Sequence, residues 1–299
     1  MVYFRWRAAL VVSTLLVVGN IAEAMASSAV VAQVPLSAAE QELSRGVQLI
    51  QQGQPEAAIA AFQRAVELDP TLAPAYYNLG LALRQQGQLQ AAANAFYQAT
   101  QVDPSFALAY ANLGAALLEG NNLDLSQQYL ERATQLDPEL GLAYYNLGLV
   151  SRLQGNAEEA IAALQQAARL SPNAPESYYH LGLVYQQQGQ RDTAIANFQR
   201  AIEINPGYAE AHYSLGTLQF EQGNLDMALD AFRRSAQADP NYANAYYGAG
   251  LVFLEQRRYS EAQRVLQYAR DLYANQGNAP WANSAAQLLQ QAQQAQGGP

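Results

Sequence analysis

From residue 39 onward the chain alternates between two hydrophobic patterns, and the alternation recurs every 34 residues. In the first half of a repeat, large apolar side chains take the fourth, seventh and eleventh places, as Tyr76, Leu79 and Leu83 do. Steps of three and four put them on one face of a helix. Gly80 falls on that face and lets a partner helix come close, which outweighs its helix cost of about 1 kcal/mol. Gly87 ends the helix, as glycine does just past a C-terminus. In the second half, Ala92, Phe96 and Ala99 make the inner face of a second helix. Asp103-Pro104 closes it, because proline disfavours helix in the residue before it. Small residues opposite large ones predict interlocked packing.

Three further registers share the period. Pro70, Pro104, Pro138, Pro172, Pro206 and Pro240 form one. Gly46, Gly80, Gly114, Gly148, Gly182, Gly216 and Gly250 form another. Ala65, Ala99, Ala133, Ala167, Ala201, Ser235 and Ala269 form the third. Seven copies begin at 39, 73, 107, 141, 175, 209 and 243. The motif reads Tyr76-Tyr77-Asn78-Leu79-Gly80, then Tyr144-Tyr145-Asn146-Leu147-Gly148, then Tyr178-Tyr179-His180-Leu181-Gly182. A 34-residue period with these residues resembles the tetratricopeptide repeat (TPR) family over residues 39–276. The resemblance implies an all-α, right-handed superhelical solenoid of seven helix pairs.

The ends depart from the pattern as a repeat array requires. Ser37 and Glu40 have capping-box spacing, which places an N-cap at Ser37. Glu42 and Arg45 stand in copy one where large apolar residues are expected. Copy seven ends in Leu272-Tyr273-Ala274 without the proline. Trp281, Ala285, Leu288 and Ala292 then form a helical stripe amid glutamines, expected to cover the last repeat. The predicted organisation is a signal over 1–26, a linker over 27–36, the array over 37–276, and a capping helix with tail over 277–299.

The signal rests on Arg5 and Arg7, an apolar run from Ala8 to Val18, and small residues at Ala22, Ala24 and Ala26. Eleven residues are too few for a bilayer span, which needs roughly 20. Cleavage near Ala24 or Ala26 sends the protein to the periplasm or an equivalent extracytoplasmic space. The alternative is an uncleaved anchor that holds an assembly factor for an envelope complex at the membrane.

Composition narrows the chemistry. Of 299 residues, 16 are basic, 25 acidic and none is cysteine, for a net charge of −9. Losing 1–26 removes two arginines and one glutamate and takes the charge to −10. Without cysteine there is no disulfide, thiolate metal site or lipid-modified cysteine. The acidic balance disfavours nucleic acid as the main partner. Every basic residue is arginine, so Schiff-base chemistry and a lysine phosphate cradle are excluded. Glutamine-rich, lysine-free composition points to a bacterial source. His180 and His212 occupy non-equivalent places, and packing accounts for both. Asp69, Asp103, Asp137 and Asp239 precede repeat prolines and read as turn-forming residues. Glycosyltransferases with similar repeats carry a catalytic domain after them. Only about 20 residues follow this array, so no enzyme, cofactor or metal is expected.

The resemblance also implies where a partner binds. In TPR proteins the first helices line a concave groove, through the second, fifth, sixth, ninth, twelfth and thirteenth places. Here the fifth place carries Tyr77, Ala111, Tyr145, Tyr179, Tyr213 and Tyr247, and the sixth Asn78, Asn112, Asn146 and His180. Tyrosine offers stiff amphipathic contact area, and asparagine pairs with a peptide backbone. Two readings stand: contact with an extended polypeptide, or the family's ordinary usage at these places. Arg84 and Arg152 take the twelfth place. Glu176, Glu210, Glu221 and Glu255 gather in copies five to seven, which favours a basic stretch of ligand there. The lysine clamp by which some relatives grip chaperone carboxylates has no counterpart. The resulting expectation is a non-enzymatic, exported scaffold for another protein or peptide.

Overall fold

A computed structural model of the protein describes residues 35–297. The signal reading over 1–26, and most of the linker, lie outside the described residues. Those described form fifteen α-helices and no strand, so the chain is all-α, as the pattern requires. They fall into two compact units, one ending at Asp137 and one beginning at Pro138.

The first unit holds α1 (Ala38–Gln51), α2 (Pro55–Leu68), α3 (Ala73–Gln85), α4 (Leu89–Val102), α5 (Ala107–Glu119) and α6 (Leu123–Leu136). The second holds α7 (Gly141–Gln154), α8 (Ala157–Leu170), α9 (Pro175–Gln187), α10 (Arg191–Ile204), α11 (Ala209–Glu221), α12 (Leu225–Ala238), α13 (Ala243–Glu255), α14 (Tyr259–Asn275) and α15 (Ala279–Gln296). Within each unit a first helix packs on its own second helix, which packs in turn on the next first helix. Each unit is a stack of helix pairs.

The glycine register explains how closely the pairs pack. Phe62, Phe96, Leu130, Leu164, Phe198, Phe232 and Leu266 are buried one repeat apart. Each lies against the glycine of its own copy: a Cβ added to Gly80 would stand 2.6 Å from Phe96 Cε1, and one on Gly148 2.5 Å from Leu164 Cγ. Alanine flanks these large residues at the small places. Where serine replaces it, the hydroxyl finds a carbonyl: Ser126 Oγ donates to Gly114 O, and Ser235 Oγ to Ala209 O, each at 2.7 Å.

Turns follow from equally local causes. After a first helix the chain takes one left-handed residue, Gly87 at φ +72° for example. Gln88 N–H then donates to Leu83 O at 2.9 Å and Gly87 N–H to Arg84 O, the Schellman arrangement. Copies three and seven put Asn121 (φ +60°) and Arg257 (φ +58°) at this position instead of glycine. After a second helix the aspartate makes the turn. Asp69 Oδ1 accepts from Thr71 N–H at 2.9 Å and Thr71 Oγ1–H at 2.7 Å, which lowers its pKa. Asp103 does the same with Ser105, and Asp239 accepts from Asn241 N–H.

Both ends are sealed. Glu40 N–H donates to Ser37 Oγ at 3.2 Å and Ser37 N–H to Glu40 Oε2 at 2.7 Å, closing the capping box. Copy seven has no proline to stop it, so α14 runs 17 residues, to Asn275. Its continuation gives α15 a surface to pack on, with Ala285, Leu289 and Ala292 buried. Leu288, expected in that stripe, sits at its partly buried edge. Among the described residues no helix is long and apolar enough to cross a membrane.

Candidate functional site

The first helices present the candidate face, and in the first unit it is anchored by Tyr77. Its ring lies 5.8 Å from Phe96 and 5.0 Å from Phe106. Asn112, one copy on, donates from Nδ2 to the Tyr77 hydroxyl at 3.2 Å and to Leu108 O at 3.0 Å. Asn112 Oδ1 accepts from Arg84 Nη1 at 3.3 Å. Arg84 also binds the Glu119 carboxylate, through Nε at 3.0 Å and through Nη2. Burial pushes the Tyr77 phenol up to about 12, opposed by Arg84.

The asparagines therefore do not stand as a free ladder. Asn78, Asn112 and Asn146 are only 3, 5 and 6% exposed. Asn78 Nδ2 donates to Pro74 O at 2.8 Å, and Asn146 Nδ2 to Leu142 O at 2.9 Å. His180 and Ser214 are equally buried at the sixth place, and a Cβ on Gly248 would meet the Phe232 ring at 2.7 Å. This place faces the interior. It joins copies, because the fifth-place tyrosine of one copy reaches the sixth place of the next. Tyr77 meets Asn112, the Tyr145 and His180 rings lie 5.8 Å apart, and Ser214 acts on the Tyr179 hydroxyl to oppose the rise in its pKa.

In the second unit the same device becomes an aromatic row. Tyr179 packs at 5.0 Å on Tyr208, and Tyr213 at 5.6 Å on Tyr242. Tyr247 meets Tyr273 at 6.3 Å and Trp281 at 5.4 Å, and Trp281 stacks on Tyr273. Tyr179 is buried; Tyr145, Tyr208, Tyr213, Tyr242 and Tyr247 are half-buried, and Trp281 is 38% exposed. Burial raises the phenol pKa values along the row, Tyr179 to about 12. The Arg152 guanidinium lies among Tyr145, Tyr179 and His180. Burial and the Arg152 charge push the buried His180 ring down to about 3. Glu221 is exposed and pairs with Arg191 at 3.8 Å, and Glu255 is exposed.

Sequence reasoning missed Phe106, Tyr208, Tyr242, Tyr273, Trp281 and Glu119 as parts of this face. The signal for three of them was available. The residue just before copies two to seven reads Leu72, Phe106, Leu140, Ala174, Tyr208 and Tyr242, a register in its own right. Among the described residues no group of His, Asp and Glu could hold a metal ion. What the face offers is contact: aromatic edges, phenol hydroxyls and carboxylates.

Known proteins with this arrangement are helical-repeat proteins. No curated protein matches the chain. The solved structure of MamA (residues 41 to the end) from Desulfovibrio magneticus RS-1 is 25% identical, with a TM-score of 0.52; the match covers 57% of this chain and 96% of that one. YrrB, described as a TPR protein with an unusual peptide-binding site, is 29% identical with a TM-score of 0.50, covering 64% of this chain and 99% of its own. A tetratricopeptide repeat protein from Parabacteroides merdae shares the fold at 17% identity and a TM-score of 0.64, over 86% and 99% of the two chains. Residues 6–249 match the family described as the Cilia and flagella-associated protein 70 C-terminal domain. The 34-residue period, the glycine-seated helix pairs and this match together make the chain a member of that tetratricopeptide-repeat family.

Proposed function

We propose that the protein is a non-enzymatic scaffold, exported from the cytoplasm, that holds an extended polypeptide on the first-helix face of copies four to seven. The observation that carries this reading is the row of half-buried tyrosines through the second unit. Half-buried rings are already ordered by packing, so a partner gains contact area with little side-chain entropy lost. The peptide-binding site reported for YrrB supports a polypeptide ligand. The short apolar run after Arg5 and Arg7 supports export.

A photo-crosslinking residue placed at Thr217, on this face, and separately at Gln199, exposed on a second helix, tests the binding reading. A polypeptide adduct from Thr217 and none from Gln199 is expected. The reverse result moves the binding surface to the second helices. For export, residues 1–36 fused to a reporter active only outside the cytoplasm should give activity. Full-length chain in the cytoplasm with Met1 retained overturns it.

A further inference from the structure

The aromatic row carries a negative charge that its own chain leaves open. Glu176 and Glu210 take the second place of α9 and α11, one repeat apart and half-buried. Among the described residues neither makes a salt bridge or a side-chain hydrogen bond. Glu119 is engaged by Arg84 and Glu221 by Arg191, while Glu255 is exposed at the end of its helix. The second place of the neighbouring copies is Leu142 and Asn244, so within the second unit the acid belongs to copies five and six.

Helix spacing puts Glu176 one turn before Tyr179, whose ring packs on Tyr208 at 5.0 Å, and Glu210 one turn before Tyr213. Both carboxylates, together with the Tyr145 and Tyr179 phenols, act on the Tyr208 hydroxyl and add to burial in raising its pKa. Glu210 acts on Tyr179 and Tyr242 as well, and Glu176 on Tyr145. Arg152 lies near Tyr145 and Tyr179. Open carboxylates beside a row of aromatic rings favour one class of incoming group. A guanidinium is planar, sheds its hydration more readily than an ammonium, stacks on rings and pairs with carboxylates through several donors.

We infer that the second unit's first-helix face docks an extended segment of another polypeptide bearing an arginine, whose guanidinium lies against Tyr208 beside Glu176 and Glu210. This deepens the scaffold reading above and rests on it. The aromatic row supplies contact along the segment, and the two carboxylates set which residue stands over copies five and six.

The test is selection of a random 12-residue peptide library on the purified protein lacking residues 1–26, followed by fluorescence anisotropy on the selected peptides. Wild-type selection should enrich arginine at one fixed position. Replacing that arginine with glutamine should weaken binding at least about tenfold, and replacing it with lysine should weaken it less. The Glu176→Gln/Glu210→Gln variant should lose the arginine preference to within about twofold while still binding the glutamine peptides. Glu221→Gln should keep the preference. Glu176→Ala/Glu210→Ala, with helicity and unfolding midpoint checked, guards against a fault peculiar to the amides. Peptides selected without arginine enrichment, or an arginine preference that survives both double variants, overturn the arginine subsite and leave the scaffold reading standing. No peptide retained by the wild-type protein overturns both.

Discussion

Replacing Asn112 with alanine separates a residue that joins two copies from one that merely looks like it. Asn78 and Asn112 hold the same place in the repeat, and each donates to the carbonyl four residues back. Asn112 does more. It donates to the buried Tyr77 hydroxyl and accepts from Arg84, both in the preceding copy. Asn78→Ala removes one neutral hydrogen bond, worth about 0.5–1.5 kcal/mol. Asn112→Ala removes a bond to a cation and leaves a buried hydroxyl without its donor, so its cost is about 2–4 kcal/mol. Stability in a repeat array is a sum of local and nearest-neighbour terms, so the loss belongs to α3 through α6. Hydrogen exchange reads it directly. Amides there should exchange roughly 30- to 1000-fold faster in Asn112→Ala, since 1.4 kcal/mol is about tenfold in an equilibrium. In Asn78→Ala the acceleration should stay near or below tenfold. Tyr77→Phe combined with Asn112→Ala should cost less than the two changes added separately. Equal acceleration in both alanine variants refutes the argument, and so does additivity in the double variant.

Three other outcomes follow from the packing. Arg257→Gly and Asn121→Gly should each raise stability by about 0.5–1 kcal/mol in urea unfolding, because a left-handed residue other than glycine is strained; Gly155→Ala, at φ +84° with open space around it, should lower it by about 1 kcal/mol. Gly148→Leu, which forces a side chain onto Leu164, should cost at least about 1–3 kcal/mol and shift the far-ultraviolet melting curve down without changing the native spectrum. His180 titrates near 6.5 when unfolded and near 3 in the fold. The stability its neutral ring confers is therefore complete above pH 6.5 and is lost as pH falls from 6.5 toward 3. In His180→Asn, which carries the residue of the preceding copies, the urea midpoint should fall less between pH 7 and 4.5 than in the wild type. Parallel slopes in the two proteins would refute it.

The helices, their pairing and their ends were legible in the residues alone, because each has a local cause repeated seven times. A side chain every three or four residues makes a face, a glycine on that face seats one large residue, and Asp-Pro makes a turn that needs no distant partner. Ser37 and Glu40 announced their capping box for the same reason. The role of the sixth place was not legible. Asparagine has the same hydrogen-bonding groups whether it meets a ligand or a neighbouring copy, and only the stacking distance between copies decided for Tyr77 and Arg84. Nor could spacing place Trp281, which reaches Tyr247 and Tyr273 because α14, lacking the proline, runs on and sets where α15 begins. Charge was readable as composition, but its pairing was not. Glu119 and Glu210 look alike in the sequence, and tertiary structure puts an arginine beside one and a tyrosine row beside the other.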